Sequence, residues 1–210
     1  MKQRSFVRIG ISLAAAVIAV IALVPFNNTA ARADTYSASC NQWPAAQVPC
    51  RADDANMDYC TVEPWDPAIG QRFGEAMSNL DNQTDLYDTY MNPCGTQTDL
   101  GGHRNGITGE VVLADNVLGQ YICTKRMPAV ARCDQASLIF NIRSSWLQAR
   151  TWGWSDGQLA NARRNVLCHE IGHAVGLYHE TGVGGCMDST LSTQVFYYPQ
   201  HHVDHINVAH

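Results

Sequence analysis

The sequence predicts an α+β fold, and three observations carry that expectation. Several strand-like runs crowd the middle of the chain, an amphipathic helical pattern precedes them, and a long proline-free helical pattern follows them. The 210 residues allow one compact domain and little more. Hydrophobic residues make up 46% and charged residues 16%, a balance that excludes an intrinsically disordered chain.

The chain opens with Lys2, Arg4 and Arg8, continues through an uncharged stretch from Ile9 to Phe26, and reaches the small-residue pattern Ala31-Arg32-Ala33. Residues 1–33 therefore read as a secretory signal peptide, cleaved after Ala33. A membrane anchor is the competing reading, but Gly10, Ser12 and Pro25 interrupt the run and the cleavage pattern follows directly. All 19 acidic residues and ten of the 14 basic ones follow Ala33, so the net charge falls from -5 to -9 on cleavage. That charge gives nucleic acids and anionic membranes no electrostatic reason to bind.

Residues 34–66 hold three cysteines, Pro44 and Pro49 with no sustained period, and read as a disulfide-tied arm or a propeptide. Asp66 as N-cap and Pro67 at the first helical position lead into Ile69, Phe73, Met77 and Leu80, one face of a helix. Asn92 to Gly109 is rich in Gly, Asn, Asp and Thr and reads as loop, which makes His103 a solvated residue. Strands are expected from Ile107 through Val111 to Leu113, over Tyr121 to Lys125 and over Leu138 to Arg143. Trp146, Trp152 and Trp154 fit packing between the sheet and the helix that follows.

Ser155 and Gln158 form an S-x-x-Q capping box, no proline follows until Pro199, and Gly176 is a natural stop, so a helix runs to about Val175. Ala160, Leu167, Ile171, Ala174 and Val175 cluster on one side of it, with His169 and His173 about 160° away. All eight cysteines follow residue 33, an even number in an oxidising compartment, so four disulfides are expected. Cys123 and Cys133 flank a short segment with Pro128 that turns the chain back, which proposes one pair. The other pairings are not readable from the spacing.

The chemistry concentrates in His169-Glu170-Ile171-Gly172-His173-Ala174-Val175-Gly176-Leu177-Tyr178-His179, an H-E-x-x-H-x-x-G-x-x-H pattern. The i,i+4 spacing stacks His169 and His173 one turn apart, where both can reach one metal ion at about 2.0–2.1 Å. Gly176 can end the helix with a positive φ and let His179 approach the same ion. Three nitrogen ligands leave a position for water, as in a catalytic zinc site. Glu170 is rotated about 100° from His169, which suits a general base better than a co-ligand.

This run resembles the active-site signature of the metzincin metallopeptidases, with His169, His173 and His179 matching the zinc ligands and Glu170 the base. Gly185-Cys186-Met187-Asp188 resembles the family's Met-turn, with Met187 the matching residue. Cys168 before the first histidine, Cys186 before the methionine and the stretch His201 to Asn207 are similar to small secreted bacterial snapalysin-like members, which place Asp where His179 stands. Glu180 also resembles the astacins, whose tyrosine after the Met-turn is Ser189 here.

The resemblance implies a metzincin-like zincin fold: a mixed twisted sheet packed on the zinc helix in an upper subdomain, residues 67–179, above a small lower subdomain, residues 180–210. It also implies a Cys168–Cys186 bridge and an extended substrate lying against a sheet edge between Ile107 and Lys125. Phe196, Tyr197 and Tyr198 fit either a pocket wall or plain packing. His201, His202, His205 and His210 match no ligand motif and fit surface or supporting roles. The expected function is a secreted, monomeric, single-Zn2+ endopeptidase that cleaves polypeptides with a zinc-activated water and Glu170 as base. The rivals are a catalytically silent zinc-containing binding module and a zinc amidohydrolase acting on a non-peptide amide; an intact Glu170 disfavours the first.

Overall fold

Strand β6, Arg132–Phe140, is the spine of the sheet, because both of its edges are paired. Along one edge β4, Leu100–Arg104, runs parallel to it, and the short β1, Arg51–Ala52, pairs in parallel with its first residues. Along the other edge β5, Gly119–Arg126, runs antiparallel, with Tyr121 opposite Leu138. Beyond β4 lie β2, Asn56–Thr61, and then β3, Tyr87–Tyr90, both parallel to their neighbours. The computed structural model describes residues 50–62, 67–104, 113–127, 130–141, 147–148 and 151–210. The signal-peptide reading of residues 1–33, residues 34–49 of the arm, Asp66, Ile107, Val111 and Trp146 lie outside them.

The parallel pair β2 and β3 requires a crossover, and α1, Pro67–Asp81, supplies it. Its apolar stripe is the expected one, with Ile69, Phe73, Met77 and Leu80 buried together with Ala76. Helix α2, Asp156–Ala174, begins at the Ser155–Gln158 capping box, both halves of which are formed. Helix α3, Gln200–Ala209, closes the chain. Among the described residues no helix is long and apolar enough to cross a membrane.

Side-chain alternation along the strands separates two apolar layers. Tyr121, Leu138 and Phe140 face a large core with Phe73 and Met77 of α1, Leu167 and Ile171 of α2, and Val203 and Ile206 of α3. Ile122 and Ile139 point the other way, into a small cluster with Leu113. The packed helices thus gather on one face of a mixed sheet, as an α+β layering requires.

Four expectations are corrected. The arm contributes β1 and β2, the latter paired on both sides; its N-M-D-Y-C-T sequence is too polar to announce a strand, and tertiary pairing decides. The stretch Asn92 to Gly109 contains β4, whose Leu-Gly-Gly-His-Arg sequence is held by partners on both edges. His103 is accordingly buried, with Nε2 3.2 Å from Ser137 Oγ. Trp152 is 90% exposed, so it does not pack between the sheet and the helix. Cys123–Cys133 joins β5 to β6 as expected, Cys60–Cys94 ties β2 to the loop after β3, and Cys168–Cys186 ties α2 to the turn at Met187. Cys50 is also disulfide-bonded.

Asp99 precedes β4 and accepts the Asp58 amide at 2.8 Å. Burial, reinforced by the charges of Asp53, Asp54 and Asp58 and opposed by that hydrogen bond, pushes its carboxyl up to about 7. The folded state therefore holds a proton that the unfolded chain releases near pH 4, and stability contributed by that proton is lost as pH rises from about 4 through 7. Asp99→Asn is expected to raise the thermal unfolding midpoint at pH 8 and leave it nearly unchanged at pH 4. A lowered midpoint at pH 8 would contradict this.

Candidate metal centre

His169 and His173 lie on the same face of α2 one turn apart, their rings 4.8 Å between centroids and nearly perpendicular. Past Ala174 the helix closes on itself: the Gly176 amide donates to His173 O at 3.0 Å and the Leu177 amide to Gly172 O at 2.9 Å. With Gly176 at φ 92°, this is a Schellman ending, whose left-handed residue a Cβ would strain. The reversal carries His179 back over the helix. Its ring centroid lies 4.7 Å from that of His169 and 4.8 Å from that of His173, so the three imidazoles form a nearly equilateral triangle.

Two of the three rings are fixed by the backbone. His169 Nδ1 donates to Cys186 O at 2.8 Å and His173 Nδ1 to Leu177 O at 2.7 Å. A carbonyl can only accept, so the proton is on Nδ1 and the Nε2 lone pair is left for a metal. His173 Nε2 stands 3.0 Å from His179 Nε2. Two nitrogens bound tetrahedrally to one ion at about 2.0–2.1 Å stand about 3.3 Å apart, so the pair needs only a slight adjustment. Burial lowers the pKa of His173 to about 3, with the neighbouring His169 adding to the effect, and lowers that of His169 to about 4. Both are uncharged at neutral pH, the form that ligates. The donor set His169, His173 and His179 could hold a metal ion.

Glu170 lies on the adjoining face and is only 6% exposed. Its carboxylate is close enough to β5 that a Cβ on Gly119 would stand 2.8 Å from Oε1. Burial pushes its carboxyl up to about 8, against a hydrogen bond from the Tyr121 backbone. A cleft of about 830 Å³ opens here, floored by the histidines and Glu170 and walled by Leu118, Gly119 and Gln120 on one side and Ser189, Thr190 and Leu191 on the other. Among the described residues neither Lys nor Arg lines it.

No protein-family model matches the chain, and no curated protein is a significant match. The site therefore stands on its own geometry.

That geometry brings together the four residues expected from the sequence, His169, Glu170, His173 and His179. Met187 is fully buried against Gly172 of the same helix, where a Cβ would overlap its Sδ. The glycine between the two helical histidines thus lets the turn at Met187 close against α2, and the 5.6 Å Cα separation of Cys168 and Cys186 holds it there. Phe196, Tyr197 and Tyr198 do not line the cleft. Instead Arg164 lies over the Phe196 ring, and the buried Tyr198 hydroxyl donates to Cys168 O at 2.7 Å. His201 and His202 meet at Glu180, with His202 fully buried rather than at the surface.

Two contributors had no motif to announce them. Gly119 makes room for Glu170, and a lone glycine between Leu118 and Gln120 looks like any other. Asn165, one turn before His169 and 4% exposed, donates to Val195 O and accepts from the Ser192 amide, fastening the segment behind the cleft wall. An asparagine one helical turn before His169 was the available signal.

Gly172→Ala is expected to destabilise the fold by about 1–3 kcal/mol through overpacking against Met187. Urea unfolding measures this, and an unchanged midpoint would show that Met187 yields freely. The chain is also expected to bind one divalent transition-metal ion at this site and His173→Ala none, as read by Co2+ absorption spectra.

Proposed function

We propose that this chain is a secreted zinc endopeptidase of the metzincin type, with His169, His173 and His179 as ligands and Glu170 as general base. The observation that carries the reading is the convergence of three imidazoles beside one buried carboxylate, in a cleft bordered by an antiparallel edge strand. Three neutral nitrogen donors suit zinc, and a three-ligand set is that of a catalytic rather than a structural ion. Bound there, zinc would supply a Lewis acid that polarises a carbonyl and acidifies water.

The chain's own groups supply the rest. Cys186 O and Leu177 O hold two imidazoles in the ligating tautomer and orientation. Glu170, whose burial raises its proton affinity, is placed to take a proton from the attacking water and return it to the leaving amide nitrogen. Strand β5 pairs with β6 on one edge only among the described strands, and its opposite edge borders the cleft. That edge suits an extended polypeptide added antiparallel, with backbone amides as the shared recognition element. Among the described residues the cleft offers phosphate or carboxylate substrates no Lys or Arg, which favours neutral amides. Three disulfides among the described residues support an oxidising, extracellular setting for the enzyme.

Glu170→Gln is expected to retain the metal and lose cleavage of an unfolded-peptide library by about 10²–10⁴-fold. Full activity in that variant would remove Glu170 from the mechanism. No cleavage by the wild-type, metal-loaded chain would favour a silent binding module, and cleavage of non-peptide amides alone would favour the amidohydrolase reading.

A further inference from the structure

The three imidazoles are not held alike. His169 and His173 each have a ring nitrogen anchored on a backbone carbonyl, whereas among the described residues the hydrogen-bond and ring partners of His179 are the other two imidazoles. Its own side chain is exposed. What fixes the third ring must therefore act through its backbone. On the N-terminal side that is the Gly176 reversal, and on the C-terminal side it is Glu180.

Glu180 is tied at both ends. Its amide donates to Met187 O at 3.0 Å, and it forms an isolated parallel bridge with Asp188. Its carboxylate reaches α3, where Oε2 lies 2.6 Å from His201 Nε2 and 2.8 Å from His202 Nε2. The His201 ring N–H is placed to donate to that oxygen, and His202 Nε2 stands against it at ion-pair distance. The anchor is firm because His202 is fully buried. Both histidines belong to the first turn of α3, whose positive dipole end favours the carboxylate and disfavours a cation. Although these three side chains could also hold a metal ion, the helix end argues for a clamp on the carboxylate, hydrogen-bonded through His201 and packed against the buried His202.

We propose that Glu180, clamped by His201 and His202, is a positioning residue that sets His179 for the metal, an inference that rests on the proposed metal centre. The clamp gives the third ligand the outer support that backbone carbonyls give the first two. It also makes α3, remote in sequence, part of the ligand framework.

The test is the rate at which a chelator strips Co2+ from the full mature chain, with far-UV circular dichroism and the unfolding midpoint recorded for each variant. Glu180→Ala and His202→Gln are expected to speed release about 10–100-fold, the usual cost of losing an outer-sphere partner. Glu180→Gln, which keeps an acceptor oxygen, should recover much of the loss and serves as the readout if Glu180→Ala fails to fold. In a His179→Ala background, Glu180→Ala should change the release rate no further, an outcome that general loss of structure would not produce. Wild-type release rates in Glu180→Ala and His202→Gln would overturn the clamp and leave the metal centre standing. Failure of the wild-type chain to bind Co2+ at all would overturn the metal centre itself. Two ions per wild-type chain, with one lost in His202→Gln, would overturn the clamp in favour of a second metal site.

Discussion

The geometry of the site depends on one backbone reversal. At Gly176 the chain takes φ 92°, and its amide and that of Leu177 turn back onto the last helical carbonyls. Without that turn α2 would continue away from its own histidines, and His179 would lie a further turn and a half along the helix axis. With it, Leu177 O meets the His173 ring and the His179 ring arrives beside both others. A single left-handed residue thus orients the second imidazole and delivers the third, at a position where any side chain would strain the backbone.

The surroundings are arranged to keep this reversal in place. Below it, Met187 packs against Gly172 and the Cys168–Cys186 bridge locks the turn to α2. An 18-residue separation between those cysteines corresponds to about 3 kcal/mol in the loop-entropy model. Tyr198 reaches the same stretch of helix through Cys168 O, and Gln83 at the end of α1 accepts the Tyr198 amide at 2.9 Å. Above it, Gly119 of β5 lets Glu170 lie flat against the strand. The site is thus contacted by the sheet, by the turn at Met187 and by the helix that carries it.

Much of the site was legible in the sequence because its determinants are local. A helix with histidines at i and i+4, a glycine three residues on and another histidine three beyond can be read from spacing alone. The Ser155–Gln158 box and the stripe from Ile69 to Leu80 are local in the same sense. What escaped was set by partners distant in the chain. Strand β4 looks like a glycine-rich loop until β2 and β6 pair with it, and β2 looks like an irregular arm until β3 and β4 do. His103 is buried only because β4 is a strand. His201 and His202 match no ligand pattern because their partner, Glu180, stands some twenty residues away on another segment. Trp152 shows the opposite failure, a large apolar residue that stands 90% exposed.

The account stands on all three imidazoles sharing one ion that keeps a position open to solvent. X-ray absorption at the zinc edge of the zinc-loaded chain reads this directly. The account predicts three imidazole nitrogens at about 2.0–2.1 Å and one light, non-imidazole scatterer completing the shell. Two imidazoles only, or a fourth position filled by a protein group, would contradict it.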